Sequence, residues 1–193
     1  MRYAATLTLT AFVIAGSISQ LAFGVDHKKS GSAPELATDK EIAALFDKVD
    51  QLSFSEKKRA IEAFRANTSG SSAKHKSAYA LGRLLEKGGT TEELTQAIPL
   101  YTEASAAPAL YERTQLHIAD CANTLGNEQL VRSSLSNVIS RSTDAKTRAQ
   151  AMYGLAQSYM RTSEQDKAAD ELTRLIKIAP YTQFAIGARY YLG

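Results

Sequence analysis

A large apolar residue followed by a small one recurs at a constant spacing along this chain. Each such pair follows the previous one by 37 residues, and a further small residue stands four positions before the large member. A helix needs small residues where a neighbouring helix passes closely, and a large residue then fills the seam beside them. The spacing therefore predicts helical repeat units that begin near residues 77, 114, 151 and 188, with the fourth unit cut short. The pairs are Leu81-Gly82, Ile118-Ala119, Leu155-Ala156 and Leu192-Gly193, and the small residues before them are Ser77, Thr114, Ala151 and Ala188.

Each full unit contains a second apolar stripe, which predicts a second helix. In the third unit a polar turn over residues 161–165 precedes this helix, and Pro180 is expected to end it, because proline lacks the N–H that continues a helix. Gly126 marks the corresponding turn of the second unit. The apolar positions are Ala97, Leu100, Tyr101 and Ala104 in the first unit, Val131, Leu135, Val138 and Ile139 in the second, and Ala168, Leu172, Leu175 and Ile176 in the third.

Two prolines complicate the second helix of the first unit, which follows the turn residues Gly88-Gly89. Pro99 lies just inside this helix and predicts a first turn that is kinked or starts late. Pro108 is expected to end the same helix.

A helical hairpin is predicted ahead of the repeats, over residues 39–67. Thr38 with Glu41 and Ser53 with Glu56 have the spacing of capping boxes, and each pair precedes an apolar stripe of helical period. No stretch of the chain shows the strict two-residue alternation of a half-buried strand. The predicted fold class is therefore all-α. The two stripes are Ile42, Leu45, Phe46, Val49 and Leu52, and then Ala60, Ile61 and Phe64.

The first residues have the three-part layout of a secretory signal peptide. A positive charge at Arg2 precedes an apolar run from Ala4 to Ala15, and small residues lead to an expected cleavage site after Gly24. The alternative is an uncleaved membrane anchor, but a spanning helix needs about 20 apolar residues. The mature protein is thus expected to be exported, without stable membrane insertion, and to begin with a polar leader.

Charge, cysteine and histidine content exclude several functions. The 23 basic and 20 acidic residues are interleaved and leave a net charge of +3, so nucleic acid is not expected as a partner. The single cysteine, Cys121, cannot form an intramolecular disulfide and is expected to be a small buried residue, with a nucleophile or an intermolecular bridge as the alternatives. The three histidines lack metal-ligand spacing, so no metal and no cofactor are expected.

The third unit resembles the tetratricopeptide repeat in the spacing of its Leu155-Ala156 pair, Tyr159, Ala168, Leu172 and Pro180. The first unit is also similar to Sel1-type repeats. The second unit departs at Ala122, where an aromatic residue is usual, and the period of 37 exceeds the usual length of about 34. The resemblance implies a right-handed α-solenoid of antiparallel helix hairpins, with about three repeats, a leading hairpin and a truncated last helix. The expected organisation is a signal peptide over 1–24, a flexible leader over 25–38, the hairpin and a linker over 39–74, and the repeat domain over 75–193.

The segment IAPYTQFAIGARYYLG, at residues 178–193, resembles junctions in exported bacterial repeat proteins that work near peptidoglycan or the outer membrane. The resemblance implies a periplasmic or secreted scaffold that binds a protein or peptide, with a peptidoglycan-associated partner as one candidate. The alternative is the N-terminal helical portion of a soluble lytic transglycosylase. Such enzymes carry a catalytic Glu in a Glu-Ser pair, which this chain lacks, so by itself it is not expected to be an enzyme. A homo-oligomer joined through the last helix is a further hypothesis.

The resemblance also implies a binding surface, because in such repeats the first helix of each hairpin lines a concave groove. An extended peptide or a glycan strand is the expected ligand, and an ordinary solvated wall is the alternative. The Lys and Asn constellation by which some tetratricopeptide domains hold a terminal carboxylate is absent. The predicted groove residues are Tyr79 and Arg83 from the first unit, Arg113, Leu116, His117 and Asp120 from the second, and Gln150, Tyr153 and Gln157 from the third.

Overall fold

The computed structural model describes residues 52–68 and 70–193. Within these ranges the chain forms α-helices and no strand, which confirms the all-α prediction. The signal peptide, the leader and the first helix of the leading hairpin lie outside the described residues. The helices are α1 (Phe54–Ala66), α2 (Ser71–Gly88), α3 (Thr91–Ala104), α4 (Pro108–Thr124), α5 (Glu128–Arg141), α6 (Ala145–Arg161), α7 (Gln165–Ile178) and α8 (Gln183–Leu192).

Helices that follow each other in sequence pack against each other: α1 with α2, α2 with α3, α5 with α6, α6 with α7 and α7 with α8. The last helix, α8, also contacts α6. The chain divides into two compact units, one ending at Ala109 and the other beginning at Leu110. Among the helices of the two described ranges, none combines the length and the apolar character that crossing a membrane requires.

In the first unit, a small apolar cluster joins α1 to α2: Ala60 and Phe64 are buried, and Leu52 and Ala73 pack against them. The predicted capping box of α1 is present, because Glu56 N donates to Ser53 Oγ at 3.4 Å and Ser53 N donates to a Glu56 carboxylate oxygen at 2.9 Å. Helix α2 begins at Ser71, before residue 75, where the repeat domain was predicted to start. The α1 stripe is buried as predicted, at Ala60, Ile61 and Phe64.

The helix boundaries expected at the two prolines of this unit are wrong. Helix α3 begins at Thr91, held by a capping box of Thr90 and Glu93, so Pro99 lies well inside a helix that does not start late. The same helix ends at Ala104, and Pro108 is the first residue of α4. The first four N–H groups of a helix have no partner within it, so proline loses no hydrogen bond at that position.

The small residues that set the 37-residue spacing are fully buried. Ser77, Thr114, Ala151 and Ala188 are each 0% exposed, as close packing of neighbouring helices requires. The large residues Leu81, Ile118 and Leu155 are buried beside them, whereas Leu192 is 43% exposed.

The second unit contains α4 from Leu110 onward together with α5 to α8. The chain turns between α4 and α5 at Gly126, whose φ of 72° lies in the left-handed region that glycine adopts most readily. Cys121 is 1% exposed, which confirms the prediction that it is a small buried residue. One core joins α4, α5 and α6, and a second joins α6, α7 and α8. Helix α6 thus contributes to both cores.

Candidate functional site

Two predicted groove residues, Tyr79 and Arg83, belong to the packing of the first unit. The Tyr79 side chain is 2% exposed, and its ring centroid lies 5.9 Å from that of Tyr101 on α3. Arg83 donates from Nη1 to the Tyr79 hydroxyl at 3.4 Å, and its Nε lies 3.6 Å from a Glu86 carboxylate oxygen. Tyr79 therefore offers almost no surface to a ligand in this structure.

The second unit contains a cleft of about 320 Å³, formed by α4, α5, α6 and α8. It brings together five of the nine predicted groove residues. Arg113 and His117 stand half-buried on α4 and do not line it. The five predicted residues are Leu116, Asp120, Gln150, Tyr153 and Gln157, and the other lining residues are Ala119, Asn123, Val131, Leu135, Gly154, Arg161 and Phe184.

The floor of the cleft is apolar because it continues the core between α4, α5 and α6. Leu116 contributes from α4, and Val131 and Leu135 contribute from α5. Gly154 on α6 completes this floor. A Cβ atom at Gly154 would lie 3.1 Å from Leu135 Cδ1, so the absence of a side chain lets α5 and α6 approach closely.

Amide side chains from α6 line the cleft above this floor. Gln150 and Gln157 are exposed and stand two helical turns apart, on the face that also carries Tyr153. Within the described ranges, neither amide side chain has a hydrogen-bond partner. Because a primary amide offers two N–H donors and an oxygen acceptor, both are equipped to bind polar ligand groups.

Two aromatic rings form a further wall. The ring centroids of Tyr153 on α6 and Phe184 on α8 lie 6.0 Å apart, with an interplanar angle of 43°. Gly187, one turn after Phe184, leaves room for the tyrosine, because a Cβ atom there would lie 3.0 Å from the Tyr153 hydroxyl oxygen. Sequence reasoning missed Phe184, since it took the groove residues from the first three units and none from the truncated fourth unit.

Arg161 lines the cleft but is held in an ion pair. Its Nε donates to Glu128 Oε1 at 2.7 Å and its Nη2 to Glu128 Oε2 at 3.1 Å, a bidentate arrangement. The hydrogen bonds from Arg161 and from the hydroxyl of Ser158 lower the pKa of Glu128, against the effect of burial. Glu128 therefore stays ionised, and the pair ties α5 to α6 at one border of the cleft.

A second set of polar contacts lies next to this ion pair. Arg132 Nε donates to Ser158 Oγ at 2.9 Å, and Ser158 Oγ donates to Glu128 Oε2 at 2.6 Å. Arg132 also lies 2.7 Å from Glu164, the residue that precedes α7. Charged and hydroxyl groups thereby join the start of α5 to the end of α6 and to the residue that precedes α7. The contacts hold α5 and α6, two walls of the cleft, together at this end.

No protein-family model and no curated protein sequence matches this chain. Support for the helical fold of the described residues, and for the packing of successive helices, therefore comes from the structure alone. A function for the chain has to follow from the shape and chemistry of the cleft.

Proposed function

We propose that this chain is an exported, non-enzymatic scaffold that binds a protein or peptide partner in the bacterial cell envelope. The cleft of the second unit is the proposed contact surface. The observation that carries the proposal is this cleft, in which an apolar floor lies beside the exposed amides of Gln150 and Gln157, which have no hydrogen-bond partner among residues 52–68 and 70–193. Binding sites in proteins commonly combine a mostly apolar concave surface with a few polar groups that fix orientation.

The proposal includes the tetratricopeptide-like architecture, a right-handed solenoid of about three repeats. Its support is the agreement between a constant spacing of 37 residues and the complete burial of the small residue at every step. Repeat arrays of this kind offer extended surfaces for other polypeptides. The proposed export rests on the residue pattern of positions 1–24.

The cleft favours a polypeptide over a glycan. The half-buried side chains of Leu116, Tyr153 and Phe184 suit an aliphatic or aromatic side chain, whose transfer from water is favourable in proportion to its apolar area.

Site-specific photocrosslinking in bacterial cells tests this function. Benzoylphenylalanine is placed at Gln157, on the cleft, and for comparison at Gln129, an exposed residue of α5 that does not line it. We expect a crosslinked product in the envelope fraction from position 157 alone, in which mass spectrometry identifies peptides of a second protein. Equal products from both positions, or none from 157, would remove the cleft from the proposal. A product whose added mass is removed by lysozyme and contains no second protein would identify a glycan ligand instead.

A further inference from the structure

We infer that one end of the second unit contacts an anionic membrane surface. This end, called the basic end below, comprises residues 141–148 and 171–181 together with the side chains of Ile186 and Arg189. It shares no residue with the lining of the cleft, so the inference goes beyond the proposed function and can fail without affecting it. It follows from the position of these segments, their charge and their exposed apolar side chains.

Helix packing brings these segments to the same end of the unit. Helices α6 and α7 pack against each other and are joined by the short turn over residues 162–164, so the start of α6 lies beside the end of α7. Helix α8 packs against both and begins at this end as well. A hydrogen bond ties α8 to the turn before it, because Arg189 Nη2 donates to the carbonyl oxygen of Pro180 at 3.0 Å.

The basic end has an excess of positive charge. Its six basic residues outnumber its two acidic ones, and the sequence over residues 172–193 contains no Asp or Glu. Arg174 is compensated by Glu171, with 2.6 Å between Nη1 and a carboxylate oxygen. Among the described residues, the exposed Lys177 has no ion-pair or hydrogen-bond partner. The basic residues are Arg141, Lys146, Arg148, Arg174, Lys177 and Arg189, and the acidic ones are Asp144 and Glu171.

The opposite end of the same helices is different, because its basic side chains are held in ion pairs with carboxylates. The excess of positive charge is therefore a local property of the basic end. The ion pairs of the opposite end join Arg132 to Glu164, Arg161 to Glu128 and Lys167 to Glu164.

Apolar side chains are exposed among the charges of the basic end. Tyr181 is 99% exposed, Ile186 67% and Ile178 37%. A tyrosine ring that is exposed to this degree contributes nothing to the core of the chain. Tyrosine is enriched at the level of lipid head groups, where aliphatic side chains reach the acyl boundary and Lys and Arg attract anionic lipids. The basic end combines these three kinds of side chain.

Charge favours a lipid surface over a second copy of this chain. A symmetric dimer through the basic end would place two sets of basic residues against each other, and like charges across an interface oppose binding. An acidic polypeptide would match the charges, but a bilayer also offers an apolar layer beneath its head groups to Tyr181 and the two isoleucines. The contact is peripheral, because none of the helices in the described ranges is long and apolar enough to cross a membrane.

Co-sedimentation with lipid vesicles tests the inference. The purified chain is mixed with vesicles of phosphatidylcholine alone, or of equal parts of phosphatidylcholine and phosphatidylglycerol. We expect binding to the anionic vesicles that weakens as salt is added, because salt screens charges at a surface. The apolar run of residues 4–15 would bind both kinds of vesicle alike, so the difference between them reports the contribution of charge.

Two matched substitutions on α7 locate the contact. A basic residue close to an anionic membrane strengthens binding about fivefold, so Lys177→Gln should weaken binding to the anionic vesicles by about that factor. Lys167→Gln removes the same charge about 15 Å away along the helix, beyond the screening length of about 10 Å. It should change binding by less than about twofold.

Tyr181→Ser tests the apolar part of the contact. It should weaken binding to the anionic vesicles by about fivefold or more, because the ring no longer leaves water. The exposure of Tyr181 predicts that the variant folds normally, and circular dichroism checks this.

Four outcomes would overturn the inference. They are equal binding to neutral and anionic vesicles, equal effects of Lys177→Gln and Lys167→Gln, unchanged binding of Tyr181→Ser, and retention on immobilised polyglutamate without binding to vesicles. The last would assign the basic end to an acidic polypeptide. A dimer in light scattering that Tyr181→Ser dissociates would assign it to a second copy of the chain and overturn the inference as well.

Discussion

Gly82 on α2 lies directly against the ring of Tyr101 on α3. A Cβ atom at Gly82 would stand only 2.9 Å from Tyr101 Cε1. The ring has no free direction to move, because Tyr101 is 0% exposed and its hydroxyl donates to a Glu86 carboxylate oxygen at 2.5 Å. The small member of the first large-small pair therefore sets how closely these two helices approach.

Gly82→Ala is expected to destabilise the chain although alanine is the better helix former. Overpacking against a fixed ring costs about 1–3 kcal/mol, and the gain in helix propensity offsets about 1 kcal/mol at most. Urea unfolding followed by circular dichroism measures the difference. The control is Gly70→Ala, since an added Cβ at Gly70 meets no atom within 4 Å. A Gly82→Ala protein as stable as its parent would show that the contact is not tight.

Thr90→Ala is expected to lower the free energy of unfolding by about 1 kcal/mol, because it removes the N-cap of α3. Thr90 Oγ1 accepts from Glu93 N at 3.2 Å, and Thr90 N donates to the Glu93 carboxylate at 3.1 Å. Thermal unfolding provides the measurement. Thr91→Ala, at the exposed neighbouring position, should change stability by less than about 0.5 kcal/mol. Equal effects of the two changes would contradict the role given to the cap.

Ser158→Ala is expected to cost about 1–3 kcal/mol, because it removes hydrogen bonds to two charged, partly buried side chains. The Ser158 side chain is 0% exposed and joins Arg132 to Glu128. The comparison is Ser133→Ala, an exposed serine whose hydroxyl bonds a carbonyl in its own helix. If both variants unfold at the same urea concentration, the hydrogen bonds of Ser158 contribute nothing measurable.

The carboxylate of Glu164 is expected to make stability depend on acid pH. Hydrogen bonds from Lys167, Thr162 and Arg132 lower its pKa from 4.5 to about 2. A group whose pKa is lower in the folded state stabilises that state fully above its unfolded pKa, and loses the contribution as the pH falls through the folded value. Stability should therefore decline between about pH 4.5 and pH 2.

Glu164→Gln should flatten this decline, as measured by urea midpoints taken across the same pH range. Asp170→Asn, a change at an exposed acidic residue of α7, serves as the control and should retain the slope of the parent. An unchanged slope in Glu164→Gln would show that the ion pairs around Glu164 do not couple to folding.

The positions of the small residues could be predicted from sequence because their cause is local and repeated. A seam between helices excludes large side chains wherever it occurs. The small residues Ser77, Thr114 and Ala151 therefore indicate the seam even when the residues on the facing helix are not known. The capping box of Ser53 and Glu56 was readable for the same reason, since both partners lie within one turn. The Thr90 and Glu93 box has the same spacing and marks the start of α3 at Thr91. The prediction of a kinked or late first turn rested on Pro99 alone and did not use this box.

The composition of the cleft could be predicted only in part, because it depends on residues distant in sequence. Tyr79 and Tyr153 occupy the same place in their units, yet Tyr79 is buried against Tyr101 while Tyr153 lines an open cleft. The difference comes from the side chains that other helices bring, a tyrosine in one case and Phe184 in the other. A periodic pattern assigns a position to a face of a helix and gives no information about how much of that face is covered.

The hydroxyls of Ser77 and Thr114 bond carbonyls of their own helices, at Lys74 and Tyr111, three residues earlier in each case. Toward the neighbouring helix these two residues therefore behave like the alanines at positions 151 and 188. All four sites limit the size of the side chain in the same way, and none requires a polar partner on the neighbouring helix. A gene segment encoding 37 residues could accordingly be duplicated or lost in frame without bringing a large side chain into a seam.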